Sequence, residues 1–262
     1  MITASNNGEI FTWDIESEEC INQFACDFRF NAISYNRSDS KLVLAGFKTE
    51  KDKKINKIAI CDVNDGMWQS IETDEDKVEL DVDDYKSGMG EVIDIAQTSS
   101  GIVFIEEDKL TIGDDEIKLD GTATTLTTDF DSDGVFVGFE DGSVLKYQSG
   151  VRFAEIASPV TKITIFNDNV IVGHENGFIE ILDLNLSNSV KLAVHDKAIT
   201  NIFAAESYLV SLSKDNTIKF WNFGGEERGH VYYLDIFATS ISIMGDNLVI
   251  GDTLGNVRFF NF

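Results

Sequence analysis

The chain has 262 residues, with 46 acidic and 21 basic side chains and a formal net charge of −25. That balance disfavours direct binding to nucleic acid, which needs a basic patch, and none is visible beyond the lysines of 48–57. The sequence contains no apolar run of membrane-spanning length and no secretory leader pattern, and its three cysteines lack metal-ligand spacing. We therefore expect a protein of a reducing compartment, the cytosol or the nucleus.

One pattern recurs along the chain at intervals of about forty residues. It consists of an apolar strand, a turn of Asn or Asp followed by Gly or Asn, and a second strand rich in β-branched and aromatic residues. The clear copies are NNGEIFTWDI from residue 6, EDGSVLKYQ from 140, ENGFIEILDL from 175, KDNTIKFWNF from 214 and TLGNVRFFNF from 253. Two weaker copies, KKINKIAICDV from 53 and EDKLTIGDD from 107, bring the number of units to seven. This period is typical of a β-propeller.

Each unit is predicted to contain four strands. In the fifth unit, TKITIF precedes the apolar strand NVIVGH, FIEILDL follows the turn, and KLAV supplies an outer strand. The residue at the turn, such as Gly177, provides the positive φ angle that a tight hairpin requires. No window of eleven residues favours a helical period over the alternation of a strand, so the fold is predicted to be all-β.

We therefore predict a seven-bladed β-propeller of four-stranded antiparallel blades in a single domain, 1–262. The blades are expected at about 1–26, 31–72, 91–120, 122–157, 160–195, 198–235 and 238–262, with an acidic loop insertion at 72–90. The first blade lacks its inner strand and the last blade lacks its outer strand in this chain. A segment preceding Met1, strands donated by a partner protein at the open seam, or irregular closure would each account for both gaps.

The repeats resemble those of the WD-repeat (WD40) β-propeller family over essentially the whole chain. Trp13 and Asp14 keep the dipeptide that names the family, and the best copy runs from LAVHDKAIT to TIKFWNF. In that family four side chains form a buried hydrogen-bond chain that rigidifies a blade, and the matching positions here are His195, Ser211, Asp215 and Trp221. The resemblance implies a non-enzymatic scaffold for protein–protein interactions, a subunit of an intracellular assembly.

The acidic residues gather in the turns, most densely in ETDEDKVELDVDD at 72–84. The predicted strand order places this segment after the outer strand of the second blade, at the end of the blades that carries the hairpin turns. That end is our candidate face for a partner: Glu72, Asp74, Glu75, Asp76, Glu79, Asp81, Asp83, Asp84, Glu106, Glu107, Asp108, Glu140 and Asp141. A basic insertion, KTEKDKKIN at 48–56, is expected on the same rim.

Two interpretations of the acidic face are open. In the first, the charge keeps the protein soluble by self-repulsion and the long loop is disordered. In the second, the face attracts a basic client, such as a ribosomal protein or a histone tail, as its binder or chaperone. The two functional hypotheses differ in salt response, because a client bound through charge weakens steeply with ionic strength whereas apolar scaffold contacts do not.

The sequence DFDSDGVFVGFE, from 129 to 140, satisfies the pattern of an EF-hand calcium loop. Its second half, GVFVGF, is in register with the apolar strands of the other units, so Glu140 is expected about 17 Å from Asp129. Calcium ligands must converge within about 2.6 Å of the ion, and we therefore expect an ordinary turn and strand.

No catalytic constellation is found. Two of the three histidines, His174 and His230, adjoin strand ends with no serine elbow, cysteine or metal-ligand spacing nearby. The glycines fall at hairpins and not at a strand-to-helix phosphate loop. We therefore expect a protein that is not an enzyme and uses no cofactor or metal.

Overall fold

A computed structural model describes residues 1–36, 40–63, 78–79, 83–129, 132–204, 208–232, 238–244 and 247–261. These residues form 27 β-strands and one 3-10 turn, Tyr147–Ser149, and no α-helix occurs among them. They divide into two compact units, Met1–Ile117 and Lys118–Phe262. We refer to them as unit 1 and unit 2, and the single domain stays a prediction.

Unit 1 contains three sheets. The first is formed by β1 (Ile2–Ala4), β2 (Glu9–Trp13), β3 (Cys20–Ala25) and β7 (Val78–Glu79). The second is formed by β4 (Arg29–Asn36), β5 (Lys41–Glu50), β6 (Lys53–Asp62) and β8 (Asp83–Met89). The third is formed by β9 (Asp94–Thr98), β10 (Gly101–Glu106), β11 (Lys109–Ile112) and β12 (Asp115–Lys118), whose last residue belongs to unit 2.

Unit 2 contains four sheets. The fourth sheet has β13 (Ala123–Asp129), β14 (Gly134–Phe139), β15 (Val144–Lys146) and β16 (Val151–Phe153), and the fifth has β17 (Val160–Phe166), β18 (Asn169–His174), β19 (Phe178–Asp183) and β20 (Ser189–Ala193). The sixth has β21 (Ile199–Ala204), β22 (Leu209–Ser213), β23 (Thr217–Trp221) and β24 (Glu227–Tyr232), and the seventh has β25 (Ala238–Met244), β26 (Asn247–Asp252) and β27 (Val257–Asn261).

The predicted fold class is confirmed: the strands form seven sheets in chain order, and consecutive strands within each sheet pair antiparallel. The first and last sheets each contain three consecutive strands. In the first sheet a fourth strand comes from elsewhere, because Val78–Glu79 pairs in parallel with Phe24 and Ala25 of β3. This short pairing ties part of the acidic segment to the edge of the first sheet.

The second sheet differs from its predicted extent of 31–72. Its outer strand is β8, Asp83–Met89, which pairs antiparallel with β6. The acidic segment therefore lies between the third and fourth strands of this sheet, and not between the second and third sheets. This strand was not predicted because its sequence, DDYKSGM, has no alternating apolar residues. An ion pair between Lys57 of β6 and Asp84 of β8, at 2.8 Å, links the two strands.

The apolar strands build the cores as their sequences predict. Every residue of β14 and of β22 is buried. Between the fifth and sixth sheets, Ile179 and Ile199 belong to one buried cluster, which the ring of Trp221 joins. Two apolar layers of this kind bury both faces of the middle strands, and this fixes the register of each sheet.

The turn between β14 and β15 shows why its glycine is required. Gly142 has φ +88°, a conformation that residues with a Cβ atom rarely adopt. A Cβ atom there would overlap the carbonyl of Ile156 and lie 2.7 Å from that of Ser158. The connection from the fourth to the fifth sheet thus passes directly over the turn.

Candidate functional site

The structure brings the four residues of the sixth sheet matched by resemblance into one hydrogen-bond chain. His195 lies just before β21, and its Nδ1 atom is 2.9 Å from the carboxylate of Asp215 in the β22–β23 turn. Its Nε2 atom is 2.7 Å from the Ser211 hydroxyl, to which the indole of Trp221 donates at 3.0 Å. Because a carboxylate only accepts, Nδ1 carries the hydrogen and Nε2 accepts from Ser211.

Burial and charge set the protonation of this chain. Burial lowers the pKa of His195, and the nearby Asp215 carboxylate opposes that effect only in part. Although burial opposes it, hydrogen bonds from Thr217 and the neighbouring imidazole lower the pKa of Asp215. The network is therefore built around a neutral imidazole and an ionised carboxylate, and it fixes the turn between β22 and β23.

The fourth sheet fixes its turn with a different residue. Arg152 of β16 donates to Asp141 at 2.9 Å and to the Ser143 hydroxyl at 2.7 Å, and its guanidinium stacks on Phe139. Asp141 in turn accepts from the backbone and hydroxyl of Ser143, as Asp215 does from Thr217. The sequence offered no signal for this, because Leu119 occupies the position that corresponds to His195.

In the seventh sheet the turn is fixed by an aspartate two positions earlier than Asp215 in the sixth. Asp252 has a fully buried side chain that accepts from the backbone of Leu254 and Asn256. Arg258 lies 3.4 Å away on the neighbouring strand. Three sheets of unit 2 thus fix their exposed hairpin tips with side-chain hydrogen bonds from different residues.

The predicted acidic face is only partly described. Glu72, Asp74, Glu75, Asp76 and Asp81 lie outside the described residues. Glu79 belongs to β7, and the remaining members are found at sheet ends: Asp83, Asp84, Glu106, Glu107 and Asp108 in unit 1, and Glu140 and Asp141 in unit 2.

Within unit 1 the described members do not share one end. We call the end that carries the β1–β2, β5–β6 and β10–β11 turns the hairpin end, and the opposite end the far end. Glu106 lies at the hairpin end, beside Gly90, which follows β8. Asp83 is the first residue of β8 and pairs with Ile60, near the end of β6 at Asp62. The six residues of extended chain from Asp83 to Met89 separate it from the hairpin end by about 20 Å. The prediction that this part of the segment shares the hairpin end is wrong, because β8 is the outer strand of the second sheet.

The hairpin end of unit 1 also has much of its negative charge paired. Lys109 contacts Glu106 at 2.5 Å, and the basic insertion pairs with its surroundings, Lys48 with Glu50 at 2.7 Å and Lys54 with Glu91 at 2.7 Å. That insertion is an extension of β5 and β6, each ten residues long, with an exposed tip from 49 to 54.

The far end of unit 1 carries carboxylates that sequence reasoning did not group together. They are exposed and form no ion pair with any described residue: Glu16, Glu18, Glu19, Asp62, Asp83, Asp114 and Asp115. They come from the β2–β3 turn, from the ends of β6 and β8, and from the β11–β12 turn. Only the strand register shows that these three stretches share one end.

The EF-hand-like sequence adopts a strand in its second half. In the register of β13 with β14, Asp129 pairs with Gly134, and Glu140 follows the other end of β14. Residues 130 and 131 lie outside the described part of the chain. Throughout the described ranges, no three His, Cys, Asp or Glu side chains converge as metal ligands.

Comparison with known proteins supports the fold only. No family model matches the chain, and no curated protein matches it. Among solved structures it is similar to the WD40 β-propeller domain of Doa1, with a TM-score of 0.74 at 13% identity over 99% of this chain and 88% of that one. It is also similar to the computationally designed protein Ika8, with a TM-score of 0.68 at 18% identity over 100% of this chain and 80% of that one.

These likenesses define the class of fold. The chain has the seven-bladed propeller fold seen in WD40-type domains. In the described ranges, no helix has the length and apolar character needed to cross a membrane.

Proposed function

We propose that this protein is a non-enzymatic scaffold that presents its hairpin turns to partner proteins within a larger assembly. The observation that supports the proposal is the fixing of exposed turn tips by side-chain hydrogen bonds in three sheets. Each of these turns contains a hydrogen-bonded aspartate: Asp141, Asp215 or Asp252. The residues at the tips, Glu140, Lys214 and Leu254, are exposed. Rigid tips of varied chemistry bind with little loss of conformational entropy.

Leu254 offers the sharpest test of this proposal. Its side chain is the most exposed of the large hydrophobic residues described, at 72%. We expect Leu254→Glu to remove at least one partner in affinity purification with mass spectrometry at physiological salt, without changing stability. The matched control is Val190→Glu on β20, 54% exposed at a strand edge. Loss of the same partners from both variants, or an identical partner set in wild type and L254E, would contradict the role of the turn.

A second candidate function is the binding of a basic client protein, and the far end of unit 1 favours it. Seven exposed carboxylates lie there that form no ion pair within the described part of the chain, and the acidic segment joins the second sheet at the same end. Like charges held together on a folded surface attract a cationic partner and accelerate its association. The proposed client surface is therefore the far end, with Glu16, Glu18 and Glu19 as its densest described stretch.

This candidate is tested with a lysine- and arginine-rich peptide as the probe. We expect the triple variant E16K/E18K/E19K to weaken binding by tenfold or more at low salt, with the difference shrinking as salt rises. The control is E107K/E140K/E175K, which reverses three exposed carboxylates of hairpin turns. Equal weakening by both variants would show attraction by net charge alone and would overturn the site.

A further inference from the structure

Strand β8 covers the outer edge of the second sheet while burying little apolar surface of its own. Four of its residues are exposed: Asp83, Asp84, Tyr85 and Ser87. Only at the end of the strand does Met89 pack against an apolar cluster. The outer strand of the first sheet, in contrast, buries Phe24 in a core. Backbone pairing and charged contacts therefore hold the stretch 83–87, which we call the edge segment.

The pairing of β8 with β6 is interrupted at two places. In the register of the two strands, Tyr85 and Gly88 have no opposite residue on β6. Bulges of this kind disrupt the ladder locally and leave the extra residue unpaired. The break at Gly88 also separates the edge segment from Met89, which is anchored in the apolar cluster.

The edge segment is held at Asp84 by a cation that the second sheet buries. The side chain of Lys57 on β6 is only 5% exposed, and its ammonium lies 4.5 Å from the centre of the Phe28 ring. Asp84 binds this ammonium at 2.8 Å, and Asp27, from the connection between β3 and β4, binds it at 3.3 Å. Release of Asp84 would leave Lys57 with the longer ion pair alone, so this position favours a second carboxylate.

A charged contact of opposite sign lies on the other face of the edge segment. Lys86 is 3.2 Å from Glu116 of β12, and its ammonium is 5.4 Å from the centre of the Phe104 ring on β10. Lys86 and Asp84 face opposite ways because the bulge between them pairs them with adjacent residues of β6. The groups beside β6 are therefore complementary to a carboxylate followed, two residues later, by a cation.

We infer that the outer edge of β6 is a further docking site, which the edge segment covers and which an extended segment of a partner protein enters in its place. The partner adds as a strand, and its own carboxylate and cation take the positions of Asp84 and Lys86. The edge segment is an internal competitor, because its covalent tether gives it a high effective concentration. This site is separate from the hairpin turns proposed above, so its failure would leave that function untouched.

The probe is a fluorescent peptide with the sequence DVDDYKS of residues 81–87. We expect weak binding to the wild-type protein, where the edge segment competes, and binding about three- to tenfold tighter to Asp84→Asn, whose own segment has lost its ion pair with Lys57. Asp83→Asn is the matched control, because it removes an adjacent exposed carboxylate that forms no ion pair with any described residue. It should bind the peptide as the wild type does. Lys86→Gln serves as the second variant if D84N fails to fold.

Altered peptides test whether the two charges are recognised. A peptide with Asn in place of Asp84, or with Gln in place of Lys86, should bind the D84N protein at least about threefold more weakly than the original peptide. A scrambled peptide of the same composition measures attraction by charge alone. Equal binding of the original, altered and scrambled peptides would overturn the inference. So would the absence of binding to D84N at peptide concentrations up to about 1 mM, the range of a short tether.

Hydrogen exchange tests the release of the edge segment itself. Its amides are expected to exchange through a local opening that leaves the amides of β5 protected. The opening equilibrium constant should rise about three- to tenfold in D84N and stay unchanged in D83N. A common opening constant for the edge segment and β5, in wild type and in D84N alike, would mean that the segment leaves β6 only when unit 1 unfolds. That result would also contradict the proposed site.

Discussion

Arg152 binds Asp141 at 2.9 Å, and this pair does in the fourth sheet what a histidine and an aspartate do in the sixth. In both sheets the aspartate accepts from the residue two positions later and from a cation or imidazole outside the turn. The arginine comes from the outer strand of its own sheet, whereas the histidine comes from the connection that precedes the inner strand. The turn is conserved in geometry between the two sheets although its supporting residue is not.

Replacement of Arg152 therefore tests whether the stability of the fourth sheet depends on its ion pair with Asp141. We expect Arg152→Met to destabilise unit 2 by about 1–2 kcal/mol, because hydrogen bonds to charged groups contribute about 1.5–3 kcal/mol and this guanidinium is partly exposed. Arg152→Lys is expected to recover only part of the loss, since an ammonium does not reproduce the fork. Urea unfolding measures both, and Arg228→Met on the exposed surface of β24 should cost nothing measurable.

Removal of Ser211 tests the hydrogen-bond chain of the sixth sheet. Ser211→Ala leaves the Nε2 atom of His195 and the indole of Trp221 without their shared partner, so we expect a loss of about 2–3 kcal/mol. Trp221→Phe keeps most of the ring and removes one donor, with an expected loss of about 1–2 kcal/mol from the hydrogen bond and the smaller ring. In a double-mutant cycle from urea unfolding, the two losses should fall short of additivity. Full additivity would mean that the bond between them contributes nothing.

The acid side of the stability profile should depend on His195. Its folded pKa is lowered by burial, so below about pH 6.5 the unfolded chain binds a proton that the folded chain does not. Stability is then lost as pH falls from 6.5 through the folded pKa. We expect His195→Gln to flatten this part of the profile, measured by urea unfolding from pH 7 to 5. His230→Gln, which removes an exposed histidine of the same sheet, should leave the slope in place.

The sequence predicted the architecture well because the repeat carries its own register. The turn with Gly142 or Gly177 marks each hairpin, and the apolar strand before it is buried, apart from the half-buried Asn169 that begins β18. Strand β8 was not predicted because its sequence has no apolar alternation and it is held by the buried ammonium of Lys57. The wrong placement of Asp83 has the same cause. Because β8 is the outer strand of the second sheet, Asp83 at its start lies at the far end.

Side-chain networks were predicted only where they matched a family pattern. His195 and its partners follow such a pattern, whereas Arg152 reaches its aspartate from eleven residues along the chain, a separation that strand pairing alone brings together. Glu180 of β19 is a similar case: it is 1% exposed, and nothing in the alternation of that strand indicates that a glutamate there faces the core. Contacts of this kind depend on which neighbouring sheet each face of a strand packs against. When both faces are buried, the sequence shows no alternation from which this could be predicted.

Two turn glycines allow the energetic cost of a steric clash to be measured apart from the cost of a positive φ angle. Gly142 and Gly150 both have positive φ, +88° and +65°, but a Cβ atom at Gly142 would meet the connection at Ile156 and Ser158, and one at Gly150 would meet nothing within 4 Å. Gly150→Ala should therefore cost about 1–2 kcal/mol, the conformational penalty alone. Gly142→Ala should cost at least about 2 kcal/mol more, because the connection between the sheets must shift. Urea unfolding of the two variants gives the difference, and equal losses would show that the connection yields freely to the added methyl group.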